Sequence, residues 1–302
     1  MKTAGTSRPG TSLRWVLQRA RRSTPILETP RSGGRRKLLA GLVLLLAGCA
    51  QPPPEAPTEL GDLTLYLFSN FEADEEVLLA GVSNLGAFLD QGVWDDFIPG
   101  SSREGREWTP PTLTSDHFGG IPETEGVEPD EQLPVAVASW SDHAPEARAE
   151  LVALRDQTPV EAPSSASYDR DFLTDIDCFT DLSCRFVRTT NVIHRDQLVL
   201  DVVYEAYKDF QWVGMPDGQQ ALLARSWTTE VFPEDDGQDS LDQSYNLEVW
   251  LPRPGGALGL NVVWSSVTLP AVSDDSLIAS VTAGVIDQIY VATEEYLNGE
   301  GD

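Results

Sequence analysis

Lysine all but disappears from this chain after its first 48 residues: Lys208 alone remains, and every other basic side chain there is arginine. Ten of the 21 basic residues (Lys2, Arg8, Arg14, Arg19, Arg21, Arg22, Arg31, Arg35, Arg36, Lys37) lie in that first stretch with a single acid, Glu28. From Cys49 onward 11 basic residues therefore face 47 acidic ones, a formal charge of −36. Such a surface repels phosphate backbones and anionic headgroups, so nucleic acid is excluded as a partner and so is electrostatic adhesion to lipid. The acidity reads as a solvated face that keeps a domain soluble, as adaptation to salt, or as diffuse binding of divalent cations. Catalytic motifs are missing as well. No Gly-x-Ser-x-Gly elbow, phosphate-binding glycine loop or dinucleotide fingerprint occurs, and no cofactor is implied. The glycines of Gly81-Val82-Ser83-Asn84-Leu85-Gly86 flank a serine at the wrong spacing, inside a predicted helix.

Long apolar runs are equally scarce. Residues 38–48 (Leu-Leu-Ala-Gly-Leu-Val-Leu-Leu-Leu-Ala-Gly) carry no charge, but as a helix they cover only about 16 Å of a hydrocarbon core of about 30 Å. That is too short to span and the right length for the apolar region of a signal peptide. Arg35, Arg36 and Lys37 precede it, where positive charge holds that end in the cytoplasm. Cysteine is limited to Cys49, Cys178 and Cys184. The last two have five residues between them and are either a small loop disulfide, if the compartment is oxidising, or two buried thiols. Loop closure would stabilise by about 2 kcal/mol.

The segment Leu46-Ala47-Gly48-Cys49 resembles the lipobox of bacterial lipoproteins. The resemblance covers residues 35–50: basic triplet, apolar run, small residues, cysteine. It implies cleavage between Gly48 and Cys49, diacylglycerol on the Cys49 thiol, further acylation (palmitate or a similar chain) of the new amino terminus, and a lipid anchor in the cell envelope. Ala50 stands where an aspartate often retains such proteins at the inner membrane, so the expected place is the outer membrane, facing the periplasm or the cell surface. The basic region is longer than usual for a signal peptide, and no methionine lies between Met1 and Met215, which leaves room for a start at another codon, such as that of Leu27. Arg35-Arg36 is a poor match to a twin-arginine signal. The domain plan is a signal peptide over 1–48, a lipidated cysteine with a proline-rich, semi-rigid tether over 49–60, and one domain over 61–302.

Within that domain, Leu63 to Phe68 reads as a short strand. Ser69 with Glu72 forms a capping box before a helix over 71–90, with Leu78, Val82, Leu85 and Leu89 on one stripe. Residues 92–133 are an irregular acidic insertion, ordered or partly mobile. A strand at 133–140 and a helix at 145–156 follow, and 157–183 is mostly loop. Leu198, Leu200, Val202, Tyr204 and Ala206 then alternate as a strand, and 219–232, 243–251 and 257–269 continue as strands separated by turn residues. Short connections make the sheet an antiparallel meander. A helix over 273–298, with Ile278, Val281, Val285, Ile289, Ala292 and Tyr296 as its stripe, is expected to cover the sheet's apolar face. The fold class is α+β. The order of elements over 184–298 resembles the helix-grip arrangement of START and Bet v 1-like domains, which implies an apolar ligand between sheet and helix.

Three groups of side chains are candidates for function. Tyr245, Leu247 and Val249 with Leu260, Val262 and Trp264 are ligand-facing or core positions, while Trp250 lies opposite its strand's apolar set and is expected to be exposed. Asp116-His117 and Asp142-His143 could supply metal ligands if loop geometry brought them together. The acidic runs Asp169, Asp171, Asp175, Asp177 and Glu234 to Asp239 lack the calcium-loop pattern and read as solvated loops. The leading function is a non-enzymatic, lipid-anchored envelope module that binds an apolar small molecule or a protein partner. The alternatives are a metal-assisted envelope hydrolase using the Asp-His pairs and a structural envelope protein.

Overall fold

The computed structural model describes residues 55–161, 164–197, 200–233, 239–269, 272 and 274–299. The leader, Gly48, the lipobox around Cys49, most of the tether, and residues 234–238 of the acidic turn lie outside the described residues.

The first element is a helix, α1 (Leu60–Ser69), where the sequence reading placed a strand. Leu63, Leu65 and Leu67 satisfy a period of two over so short a window. The buried set, however, is Leu60, Leu63, Thr64, Leu67 and Phe68, three and four apart as a helix requires. The expected capping box is not formed. Ser69 Oγ donates back to the Leu65 carbonyl at 2.8 Å, and Glu72 turns away to Arg225 at 2.9 Å. The helix α2 (Glu75–Leu89) begins after Asp74 and buries the expected stripe, Leu78, Val82, Leu85 and Leu89.

The insertion is an ordered part of the core. It contains β1 (Glu107–Trp108) and short 3-10 turns, and it buries Phe97, Leu113, Phe118 and Ile121. It also supplies polar partners for buried aromatic tips. Trp264 Nε1 donates to the Pro111 carbonyl at 2.8 Å, and the Thr124 amide donates to the Tyr245 hydroxyl at 2.8 Å. Such tips need partners once water is excluded, and that need fixes the loop.

After β2 (Leu133–Ser141) come α3 (Arg148–Ala153), α4 (Thr158–Glu161), β3 (Ser167–Phe172) and α5 (Asp177–Thr180). The region expected to be mostly loop thus holds two short helices and an edge strand. Cys178 and Cys184 are joined as a disulfide, and Phe179 inside the loop stacks on Trp212 at 5.2 Å. Then follow β4 (Phe186–Gln197), β5 (Leu200–Gly214), β6 (Gln220–Trp227), β7 (Phe232–Pro233), β8 (Ser240–Arg253), β9 (Gly256–Thr268) and the long helix α6 (Asp275–Leu297). The nine strands form one antiparallel sheet in the order β1-β2-β9-β8-β6-β5-β4-β3, with β7 beside β8.

Both faces of this sheet are covered, and the apolar residues do not stay on one of them. In β8 and β9 the apolar set meets across the strands as Tyr245 with Trp264, Leu247 with Val262 and Val249 with Leu260. These six are fully buried against α1, α2 and the insertion. In β5 the apolar set Val202, Tyr204 and Ala206 points to the opposite face. That face also holds Phe210, Leu222 and Trp250, and α6 packs on it through Ala283, Ile286 and Tyr290. The terminal helix therefore covers the face opposite to the one expected from β8 and β9, because the N-terminal helices already occupy that one.

On α6 the buried set is Ala283, Ile286, Asp287, Tyr290, Ala292 and Thr293, rotated from the predicted stripe. Asp287 is buried because Arg106 of the insertion pairs with it at 2.7 Å. The Asp274 side chain caps the helix by accepting from the Ser276 amide at 3.0 Å.

Candidate functional site

Between α6 and the sheet lies a cavity of about 260 Å³. Its floor consists of the residues that alternate with the solid apolar face. From β8 come Ser244, Asn246, Glu248 and Trp250; from β9, Asn261, Val263, Ser265 and Val267. Strands β5 and β6 add Tyr204, Ala206, Lys208 and Phe210 with Leu222, Ala224 and Ser226. The roof is Thr282, Val285, Ile286, Ile289 and Tyr290 of α6, and residues of α3, α4 and β3 line the side. Val285 and Ile289, predicted to belong to the buried stripe, are only half-buried because they face this space.

The floor is banded. Lys208 stands opposite Ser226, and Ser226 opposite Asn246, on three neighbouring strands. Asn246 Nδ2 donates to Asn261 Oδ1 on the next strand, continuing the polar row. Phe210, Leu222 and Trp250 flank the row on one side, with Tyr204, Leu241 and Val267 on the other. An amphiphilic molecule matches such a surface better than a pure hydrocarbon, since each buried polar group needs a partner.

Charged groups hold the cavity walls. Lys208 Nζ donates to Glu248 Oε2 at 3.2 Å, and Trp250 Nε1 donates to Glu248 Oε1 at 2.8 Å. Burial pushes the Glu248 carboxyl up, but Lys208, the Trp250 indole and Arg148 outweigh it and hold the group below the ordinary glutamate value. Burial likewise pulls the Lys208 ammonium down, and Glu248, with smaller contributions from Tyr168 and Glu161, more than restores it, so its pKa lies above the ordinary lysine value. The Arg148 guanidinium lies 3.1 Å from the centre of the Trp250 ring and 3.1 Å from Glu294 Oε1. Its pKa is lowered by burial, opposed in part by Glu294 and Glu248. At the far end Arg195 donates to the Tyr204 hydroxyl at 3.1 Å and to Glu161 Oε2 at 3.2 Å. Tyr290, edge-on to Trp250 at 5.4 Å, has its hydroxyl pKa raised well above the ordinary value by burial.

Trp250 is 1% exposed, against the expectation that it faces solvent. It does lie opposite its strand's apolar set, but α6 and Arg148 cover that side. Gly259 lies directly across from it, and a Cβ there would come within 2.5 Å of the indole. The absent side chain makes room for the ring.

Tyr245, Leu247, Val249, Leu260, Val262 and Trp264 belong to the core on the other face and do not line the cavity. The histidines and Asp142 of the two Asp-His pairs have separate partners. His117 Nδ1 accepts from the Thr114 amide at 2.9 Å, and the His143 ring meets Asn298 Oδ1 at 3.1 Å. Asp142 Oδ1 accepts from Trp140 Nε1 at 2.8 Å. Among the described residues no group of three or more His, Cys, Asp and Glu side chains could hold a metal ion, so the hydrolase reading finds no site with Asp116, His117, Asp142 and His143. Sequence reasoning missed Arg148, Arg170, Arg195 and Glu248 as cavity residues. The only mark in the sequence was Lys208, the solitary lysine after Cys49.

No protein-family model matches the sequence, and no curated protein matches it. Solved structures do. The chain is similar to a STAR-related lipid transfer protein from Xanthomonas axonopodis, with 11% identity, 58% of this chain and 90% of that one covered, and a TM-score of 0.41. It is also similar to human StAR-related lipid transfer protein 5 (8% identity, 76% and 98% covered, TM-score 0.39). A START superfamily protein from Mycobacterium smegmatis is a third (9% identity, 55% and 97% covered, TM-score 0.35).

Proposed function

We propose that this chain is a lipid-anchored protein of the cell envelope whose folded domain binds a small, largely apolar molecule and catalyses no reaction. The observation that carries the binding reading is the cavity itself. It is roofed by Val285, Ile286 and Ile289, floored by a banded polar and apolar surface, and about 260 Å³ in volume. Small-molecule sites span roughly 300–1,000 Å³, so this one, near the lower end, suits a single-chain or ring compound better than a two-chain phospholipid held whole. The anchor reading rests on Leu46-Ala47-Gly48-Cys49 after a basic and apolar leader. The Cys178–Cys184 disulfide accords with an oxidising compartment outside the cytoplasm.

Mass spectrometry of the protein purified in mild detergent from its own membranes tests both readings. Denatured, the protein is expected to have the mass of the chain from Cys49 plus acyl groups; an unmodified chain retaining Met1 contradicts the anchor. Native spectra are expected to show an added small-molecule mass that departs on denaturation. The Val285→Trp variant, which fills the cavity from a half-buried position, is expected to lose that mass. Retention of the same mass by a folded Val285→Trp variant places the ligand elsewhere.

A further inference from the structure

The charges around the cavity do not cancel. Arg195 pairs with Glu161, Lys208 with Glu248 and Arg148 with Glu294. Arg170, on β3, also lines the cavity and is 4% exposed, yet among the described residues its hydrogen-bond partners are all neutral. Its Nε donates to Asn191 Oδ1 at 2.9 Å and Nη1 to the Val152 carbonyl at 2.9 Å, with longer bonds to the Leu151 carbonyl and the Tyr168 hydroxyl. Those bonds orient the guanidinium without neutralising it, and an uncompensated charge removed from water is costly.

The surplus has a definite place. The Arg170 guanidinium lies 5.0 Å from the centre of the Phe210 ring, and the Lys208 ammonium lies 5.1 Å from the same centre. Two cations thus flank one ring. Lys208 has three N–H donors and gives one of them to Glu248. Beside Lys208 the polar row through Ser226 and Asn246 adds neutral hydrogen-bonding groups. In a domain whose formal charge from Cys49 onward is −36, this interior carries the opposite sign. A low-dielectric enclosure strengthens the attraction for an anion that enters, while the acidic exterior disfavours its loose adsorption outside.

We propose that the ligand is a monoanionic amphiphile, a carboxylic acid whose carboxylate sits against Arg170 and Lys208 while its apolar body lies under Val285, Ile286 and Ile289. The proposal rests on the reading that the cavity holds a ligand. One surplus positive charge calls for one negative charge; a phosphate dianion would overshoot it.

Calorimetric titration near neutral pH with decanoate, and separately with decanol, tests the assignment. In the native sequence decanoate is expected to bind at least about tenfold more tightly than decanol, a difference of about 1.4 kcal/mol. Arg170→Gln removes the surplus cation and is expected to lose most of the preference for the acid, read as the ratio of decanoate to decanol affinity. Lys208→Gln, which takes away the second cation beside Phe210, is expected to lower the same ratio. Decanol binding as tightly as decanoate to the native sequence overturns the anionic head and leaves the apolar cavity standing. Binding of neither overturns the cavity reading as well. A full acid preference in both folded variants removes Arg170 and Lys208 from the subsite and overturns the assignment as stated.

Discussion

On one face of the sheet, Tyr245, Leu247, Val249 and Leu251 meet Trp264, Val262, Leu260 and Leu258 and are sealed under α1 and α2. On the other, the same two strands present Ser244, Asn246, Glu248 and Asn261, and α6 stands over them with about 260 Å³ between. The first face is apolar and fully buried. The second is polar where the first is apolar and hollow where the first is filled. Apolar alternation in these strands marks the part of the sheet that holds the domain together; the residues between them carry the candidate site.

Substitutions can break that contrast from either side. The largest effect is expected on the solid face. Leu247→Ala removes a fully buried side chain and should cost about 2–5 kcal/mol in chemical denaturation. Ligand affinity of the folded fraction should stay unchanged, and a large affinity loss would link the two faces. Next comes Gly259→Ala, which drives a Cβ into the Trp250 indole and should cost about 1–3 kcal/mol. Here ligand binding should fall too, because Trp250 lines the cavity and supports Arg148.

The Lys208–Glu248 pair should be felt through pH. The folded-state pKa of Glu248 is lowered, so its contribution is present above the ordinary glutamate value and lost as pH falls through the lowered one. For Lys208 the folded value is raised, so the same pair's contribution is present below the ordinary lysine value and lost as pH rises through the raised one. Glu248→Gln should flatten the acid limb of the stability profile; an unchanged acid limb would show that the pair is not coupled to folding. The smallest effect is expected at Ser265→Val on the cavity floor. Stability should move by less than about 0.5 kcal/mol, while binding of an uncharged apolar ligand tightens. Unaltered affinity would take Ser265 out of the lining.

Much of this was legible in the residues, within physical limits. The stripes of α2, β8 and β9, the extent of α6 and the disulfide pairing as one of two readings all follow from short-range periods and spacings. Residues 63–68 did not, because Leu63, Leu65 and Leu67 alternate as in a strand, and only Leu60 before them and the burial of Thr64 and Phe68 decide for a helix. Strand β4 escaped notice because its buried positions include Thr189 and Asn191, satisfied by bonds to the Lys208 and Ala206 carbonyls. The assignment of helices to faces was out of reach. It depends on α1 and α2 claiming the apolar side of β8 and β9, a contact between segments more than 150 residues apart. Arg170 could not be singled out either, since its significance lies in having no carboxylate partner among the described residues, which only the folded surroundings reveal. Lys208 was visible as a solitary lysine, though its place in the cavity was not.

Methyl-resolved NMR during a decanol titration tests the central contrast most directly. The methyl signals of Val263, Val267, Val285, Ile286 and Ile289 are expected to shift together and saturate, while those of Leu247, Val249, Leu260 and Val262 stay in place. Shifts confined to the second set, or no saturable shift in the first, would contradict the assignment of a solid face and a ligand-binding one.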